Sequence, residues 1–421
     1  MEECSHMIKS SSGQLYARTE ENSITIFFEV GVNLRTKILK IVVDENMPYA
    51  KEFFSEFCTP ENLCSFSGRE LNAQQVQDAD VLLVRSTTKV DAQLLAKNNQ
   101  VRFVATATAG TDHIDKAYLA SQNIPFVSAG GCNAVAVAEY VLSAMIVMAN
   151  KLNWQLANKT VGIVGAGHVG TALSRILSVL GIDYKLCDPP LEDAGDKRSF
   201  VDLEQIMACD VISLHVPWIK DGPYCTQGMF DKTRLSALNE QQVLINACRG
   251  EVLDNRAVLE LMQYGHKLNL VLDVWENEPH INLDLIPFVS LATAHIAGHT
   301  IEGKARGTEM LYFALCKQLG VPSNKNLSDY LPQAKPSQVQ ITDRESFWQA
   351  LQNVVLDVYN IESDDHHFKN MMCQSNKTDA EQFRYIRKHY PIRREFSAIA
   401  LNTGNFAESK ALYQLGFLPA V

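Results

Sequence analysis

Residues 160–181 read TVGIVGAGHVGTALSRILSVLG, and this stretch decides the fold. An apolar run, TVGIV, passes directly into Gly165, Gly167 and Gly170 at GxGxxG spacing. A segment with Leu173, Ile176, Leu177 and Leu180 at helical intervals follows. Glycines at this spacing also serve ordinary turns, so the order strand, turn, helix carries the reading. In that order they let the turn close tightly and let backbone approach a pyrophosphate seated at the helix amino end. The next apolar run, DYKLC, ends on Asp188, about 20 residues past the glycines, where a carboxylate accepts hydrogen bonds from ribose hydroxyls and repels a 2′-phosphate. No basic residue stands beside Asp188 in the chain. The pattern predicts NAD rather than NADP, held by Gly165, Gly167, His168, Val169, Gly170 and Asp188.

Working outward, DVISLHVP, QVLINACRG and LNLVLDVW continue the alternation of strand and helix downstream. Upstream, KILKIVV, ADVLLVRS, VRFVATA and IPFVSA form an earlier series of the same kind. Short apolar runs separated by helix-length segments imply parallel sheets with crossover helices. The fold expected is α/β: two doubly wound, Rossmann-like parallel-sheet domains plus a small C-terminal α/β module. The expected boundaries are 37–133 with 297–335 for a substrate-binding domain, 134–296 for the NAD-binding domain and 336–421 for the module. Residues 1–36, polar and irregular apart from SITIFFEV, read as a poorly ordered extension. Residues 320–337, rich in Pro, Ser and Asn, read as a linker. In the module, QVQIT and FSAIAL read as strands, AESKALYQLGF as a closing helix, and Phe347, Leu351, Val354, Val355 and Val358 as a helix face.

Composition narrows the class. A chain of 421 residues with 46% hydrophobic residues is long enough for two or three packed domains. A net charge of -10 with mixed signs argues against nucleic acid and anionic membrane as partners. The most apolar stretch, residues 134–150, is interrupted by Glu139 and is short for a bilayer span, so it reads as a buried helix. The amino end lacks a secretory pattern, and the ten cysteines stand singly without metal-binding spacing. Buried free thiols, a cytoplasmic location and no metal site are the expectation. The pair His366-His367 reads as a solvated loop, and RYIRKHYPIRREF as a solvated helix face or a dimer contact.

Three further residues follow strand-like runs: Arg249 in INACRG, Glu278 in DVWENEP and His295 in ATAHIAGHT. Singly, each reads as an ordinary surface Arg, turn Glu or core His. Together, in this order, they resemble the Arg-Glu-His set of the D-isomer-specific 2-hydroxyacid dehydrogenases. The chemistry of that family explains the residue types. Hydride leaves C2 as its hydroxyl loses a proton, so a base of near-neutral pKa such as His295 must touch that hydroxyl. Glu278 would fix the ring's tautomer, and Arg249 would grip the substrate carboxylate with a planar fork. By the same resemblance, Asp273 contacts the nicotinamide carboxamide, while Val216 and Gly298 fall on the cofactor side.

The segments VDENMPYAKEFF, VRSTTKV, ATATAGTDHID, GCNAVAVAEY, CDPP, KDGPY, INACRG and HIAGHTIEGKARGT are similar to one branch of that family. That branch oxidises 4-phosphoerythronate in pyridoxal 5′-phosphate biosynthesis. The resemblance implies a homodimer holding NAD tightly, with 336–421 as the dimerisation module. It implies that Ser86 and Thr108 touch substrate and that the 108–111 loop offers amides to its carboxylate. Three departures stand out. Residues 1–36 have no counterpart, Val216 replaces a threonine, and His299 replaces a substrate-binding tyrosine. An imidazole at 299 would still donate, more strongly at mildly acidic pH. For the substrate phosphate, the reading selects Arg85, Ser86 and Lys89 at the end of the ADVLLV strand, where loops at a sheet's carboxyl edge form ligand crevices. Competing readings are a dehydrogenase of another 2-hydroxy acid such as 3-phosphoglycerate, and an NAD-sensing corepressor-like binding protein.

Overall fold

Apolar β-branched runs bounded by turn residues become strands, and the computed structural model arranges them in three parallel sheets besides one short antiparallel pair. It describes residues 38–332, 335–341, 346–373 and 378–420, with two short strands nearer the amino end. Those two, β1 (Ile8–Lys9) and β2 (Leu15–Tyr16), pair antiparallel within a separate unit, Met1–Ile38. The SITIFFEV stretch and the order expected of residues 1–36 lie outside the described residues.

The first parallel sheet holds β3 (Ile41–Asp44), β4 (Leu63–Phe66), β5 (Val81–Val84), β6 (Phe103–Thr106) and β7 (Phe126–Ser128), in the order β4-β3-β5-β6-β7. Helices α1 (Ala50–Phe54) and α2 (Lys116–Ser121) belong to its crossovers. The edge strand β4, LCSF, is half-exposed and gave no apolar signal in the sequence. The long helix α3 (Ala134–Lys151) then leads to the second sheet.

That sheet holds β8 (Thr160–Val164), β9 (Asp183–Cys187), β10 (Val211–Leu214), β11 (Val243–Asn246), β12 (Asn269–Leu272) and β13 (Leu291–Ala292). Its order is β13-β12-β11-β10-β8-β9, one strand more than the sequence reading gave. Its connections contain α4 (His168–Leu180), α5 (Pro189–Asp193), α6 (Leu203–Met207), α7 (Lys232–Ala237) and α8 (Asn255–Gln263). Its central strands β10 and β11 are buried along their whole length, as parallel strands covered on both faces must be. Both sheets switch direction beside their first strand, the place at the carboxyl edge where ligands bind in open sheets of this kind.

After β13, α9 (Ile301–Leu319) packs back against β6 and β7 of the first sheet. The supposed linker is docked rather than free, since Leu327 is buried and Lys325 donates to the carbonyls of Glu52 and Phe53. The third sheet joins β14 (Lys335–Gln340), β15 (Ile399–Asn402) and β16 (Leu418–Pro419). Around it lie α10 (Phe347–Val358), α11 (Ile361–Cys373), α12 (Asp379–Lys388) and α13 (Ser409–Gln414).

The C-terminal module has no core of its own. Leu351, Val354, Val355, Phe396 and Phe417 form one hydrophobic cluster with α3 and α4. This explains why α3 is apolar on every side: α4 and α9 pack against it, and α10 and α11 cover it too. By length and composition α3 could cross a membrane, but 83% of it is buried inside the protein.

The stretch 393–396 stitches the pieces together. Buried Arg393 donates to the carbonyls of Ala136 and Ala297, and Arg394 pairs with Glu302. Glu395, 1% exposed, accepts from Arg306 and Thr300. Glu139 accepts the Phe396 N–H, and burial together with the nearby Glu395 holds its carboxyl well above the carboxylate range. The basic run thus divides: Arg384, Lys388 and His389 are exposed on and just after α12, as a solvated helix face, while Arg393 to Phe396 form an internal junction. His366 and His367 are exposed on helix α11 rather than on a loop, beside a buried Asp365 that accepts the Ala292 N–H. Among the described residues all nine cysteines are free and no metal-binding cluster occurs, although Cys225 and Cys373 are exposed.

Candidate active site

The glycine turn has the geometry a dinucleotide needs. Gly165 adopts φ 93°, and a Cβ there would strike the His215 carbonyl 2.5 Å away. A Cβ on Gly170 would strike the Gly165 carbonyl, so helix and strand can close only over glycine. Above Gly167 there is open space, and both Gly167 and His168 are exposed there. The His168 ring lies against Gly130 and Gly131 of the first sheet's loops. Half-buried Val169 and Val216 pack into the core around the turn.

Asp188 caps α5 through the Leu191 N–H at 3.1 Å and accepts the Ala166 N–H at 2.7 Å. Its carboxylate therefore steadies the glycine turn. The sequence showed no basic neighbour, but the fold brings one: Arg198 donates to the Ala166 carbonyl at 2.8 Å. Asp196 already neutralises that guanidinium through a two-pronged pair at 3.0 and 2.7 Å. An open glycine cradle with an acid at the next strand's end fits NAD.

Farther along the same edge, Nδ1 of His295 lies 2.7 Å from Oε2 of Glu278. The other Glu278 oxygen accepts the Trp275 N–H at 2.9 Å. Burial opposes the charge on Glu278, but His295, this hydrogen bonding and Arg387 outweigh it, so the carboxyl is held below its usual range. His295 itself has φ 56°, in the left-handed region that residues other than glycine adopt uncommonly. The loop is pinned by Asp273, 1% exposed, whose carboxylate accepts from Thr293, Ile296 and Ala297. The sequence reading gave Asp273 to the nicotinamide; the structure devotes it first to the loop that carries His295. Gly298, half-buried in that loop, packs on Asn133 so closely that a Cβ would clash.

Arg249 reaches across to the first sheet. Its guanidinium meets Asp112 at 3.2 and 3.3 Å and packs on Gly110 of the 108–111 loop. Thr108, expected to touch substrate, donates to the Gly110 carbonyl and so shapes that loop. Ser86 is exposed at the end of β5.

The expected phosphate group divides. Lys89 turns outward, 79% exposed, and pairs with Asp91 at 2.9 Å. Arg85 stays in the crevice, and two cations that the sequence gave no reason to choose join it: Lys304 from the first turn of α9 and Arg387 from α12. His299 lies among them. Its enclosure, with Lys304, Arg387, His295 and Arg85 all adding positive potential, drives its pKa well below the ordinary value. A ring so placed stays neutral, which removes the acid-strengthened binding expected at this position.

The profile of the D-isomer specific 2-hydroxyacid dehydrogenase, NAD binding domain family matches residues 138–300. A protein from Pseudoalteromonas atlantica described as erythronate-4-phosphate dehydrogenase is 57% identical over 379 residues, covering 90% of this chain and 99% of its own. The chain belongs to the erythronate-4-phosphate dehydrogenase branch of that family. Another member of the branch, from Colwellia psychrerythraea, is 48% identical and 99% covered. As a member, this chain is an NAD-dependent oxidoreductase. Residues 330–416 match a domain of unknown function, DUF3410. Among solved structures, a 3-phosphoglycerate dehydrogenase from Entamoeba histolytica superposes with TM-score 0.57 at 23% identity, over 69% of this chain and 99% of its own. A D-lactate dehydrogenase from Aquifex aeolicus gives 0.52 at 23%, over 66% of this chain and 95% of its own. At that identity the likeness establishes the shared fold.

Proposed function

We propose that this erythronate-4-phosphate dehydrogenase relative oxidises 4-phosphoerythronate at C2 to 3-hydroxy-2-oxo-4-phosphooxybutanoate, as a cytoplasmic homodimer. The observation that carries the reading is the Glu278–His295 pair at 2.7 Å, set in the same crevice as the glycine turn and Arg249. Nδ1 is engaged by Glu278, which leaves Nε2 to take the proton of the C2 hydroxyl. Glu278 holds the ring's orientation and balances the charge it gains. NAD bound on the glycine turn supplies the hydride acceptor. Arg249 holds the substrate carboxylate and polarises the forming C2 carbonyl, with the 108–111 loop beside it.

The test is a panel of 2-hydroxy acids offered with NAD: 4-phosphoerythronate, 3-phosphoglycerate, erythronate and lactate. The highest kcat/KM is expected for 4-phosphoerythronate. Preference for 3-phosphoglycerate would reassign the substrate, and NAD binding without turnover of any of them would favour a sensing protein. Light scattering on the purified chain tests the homodimer.

A further inference from the structure

Outside the hydride-transfer residues, one group of cationic side chains forms no ion pair among the described residues. Arg85 follows β5, Lys304 stands on the first turn of α9, and Arg387 lies on α12 of the C-terminal module. Each bears on the others electrostatically, and His299 feels all three along with His295. Burial and repulsion from Arg85, Arg387 and Arg393 push Lys304 down to about 8. The buried Nε of Arg387 has no hydrogen-bond partner. None of the ion pairs among the described residues uses Arg85, Lys304 or Arg387. Two other half-buried arginines nearby are compensated, Arg306 by Glu395 and Arg394 by Glu302, whereas the buried Arg393 donates to backbone carbonyls and forms no ion pair among the described residues.

Asp44 bears on Arg85 with opposite charge, but one acid does not balance three cations, and gathering them in a half-buried site is unfavourable unless an anion joins them. The backbone holds them there firmly. Ile301 donates to the Arg393 carbonyl at 3.0 Å, and the His299 ring meets the Tyr390 ring edge-on at 6.2 Å. The segment after α12 is thus tied to the start of α9, beside the loop of His295.

We propose that Arg85, Lys304 and Arg387 form the subsite for the substrate's phosphate, so that the C-terminal module completes the active site. This deepens the proposed function and rests on it. The substrate carboxylate goes to Arg249, the C2 hydroxyl to His295, and a 4-phosphate extends beyond C2 toward the three cations. A phosphate dianion matches a three-sided cationic pocket, whereas one carboxylate would leave it overcharged. Arg387 also lowers the Glu278 carboxyl, which links the pocket electrostatically to the base pair.

The experiment uses the NAD-loaded enzyme and the variants Arg387→Ala, Arg387→Lys and Lys304→Gln, with Lys388→Ala on the exposed side of α12 as control. Steady-state constants are measured on 4-phosphoerythronate and on erythronate, and inorganic phosphate binding is followed by calorimetry. Arg387→Ala is expected to lose about tenfold to a hundredfold more kcat/KM on the phosphorylated substrate than on erythronate, as for one charge-assisted hydrogen bond. Phosphate affinity should fall in parallel, Arg387→Lys should keep part of both, and Lys304→Gln should repeat the effect from outside the module. Equal losses on both substrates, or phosphate binding as tight in the variants as in the parent, overturns the assignment. If the parent does not oxidise 4-phosphoerythronate, the proposed function falls, and phosphate calorimetry alone decides the pocket.

Discussion

Asp273 and His295 stand in a support relationship: the His295 N–H donates to the Asp273 carbonyl at 2.6 Å, and the Asp273 carboxylate ties down the next two amides. A left-handed histidine costs roughly 1–2 kcal/mol, and these bonds hold it in place. The ring is thereby presented to Glu278 at 2.7 Å.

His295→Ala should lower kcat by on the order of 10²–10⁴ while NAD binding stays nearly intact. In Glu278→Gln the shape persists but the counter-charge to a protonated ring is gone. The acidic limb of the kcat/KM profile should then move to lower pH. An unmoved limb removes Glu278 from the orienting role.

Asp112 occupies the guanidinium that would receive the substrate carboxylate. The pair is partly exposed, with Asp112 57% accessible, so it is worth about 0.2–1 kcal/mol. Asp112→Asn should therefore lower KM by roughly twofold to fivefold, with kcat little changed. A raised KM would mean that Asp112 positions Arg249 instead of competing for it.

On the proposed reading, cofactor preference rests on Asp188 and on the Asp196 that neutralises Arg198. Calorimetry should give tighter NAD than NADP binding in the parent, and Asp188→Ala should narrow that ratio by about tenfold. Removing Asp196 as well frees Arg198 beside the turn and should narrow it further. NADP binding equal to NAD in the parent would refute the role given to Asp188.

Removing residues 336–421 should yield insoluble protein, because Leu351, Val354 and Phe396 share the core of α3. A narrower cut is Glu395→Ala, which leaves Arg306 without its buried partner. It should cost about 3–5 kcal/mol, read from the denaturant midpoint. A change below about 1 kcal/mol would mean that the junction is not braced by this pair.

Lys304 faces Arg85, Arg387 and Arg393 and is held down to about 8, so it is charged below that pH and neutral above it. Inhibition by inorganic phosphate should weaken as pH rises through about 8 in the parent. Lys304→Gln should lose that step. A step of equal size in the variant would assign it to another group.

The sequence by itself determined most of the parallel strands, the glycine turn, Asp188 after it, and a largely apolar α3. These are local matters, since hydrophobic period and glycine spacing report burial and backbone freedom without knowledge of distant neighbours. It also supplied Arg249, Glu278 and His295 through a resemblance of motifs. Tertiary structure alone decided what each polar group faces. Lys89 and Arg85 lie four residues apart, yet one turns to solvent and the other into the crevice. Arg387 comes from a distant helix to stand near Glu278, and Arg198 is folded back onto the turn that Asp188 holds. Charge acts through space and dielectric, so a cation's role follows from where packing puts it, and packing is a property of the whole chain.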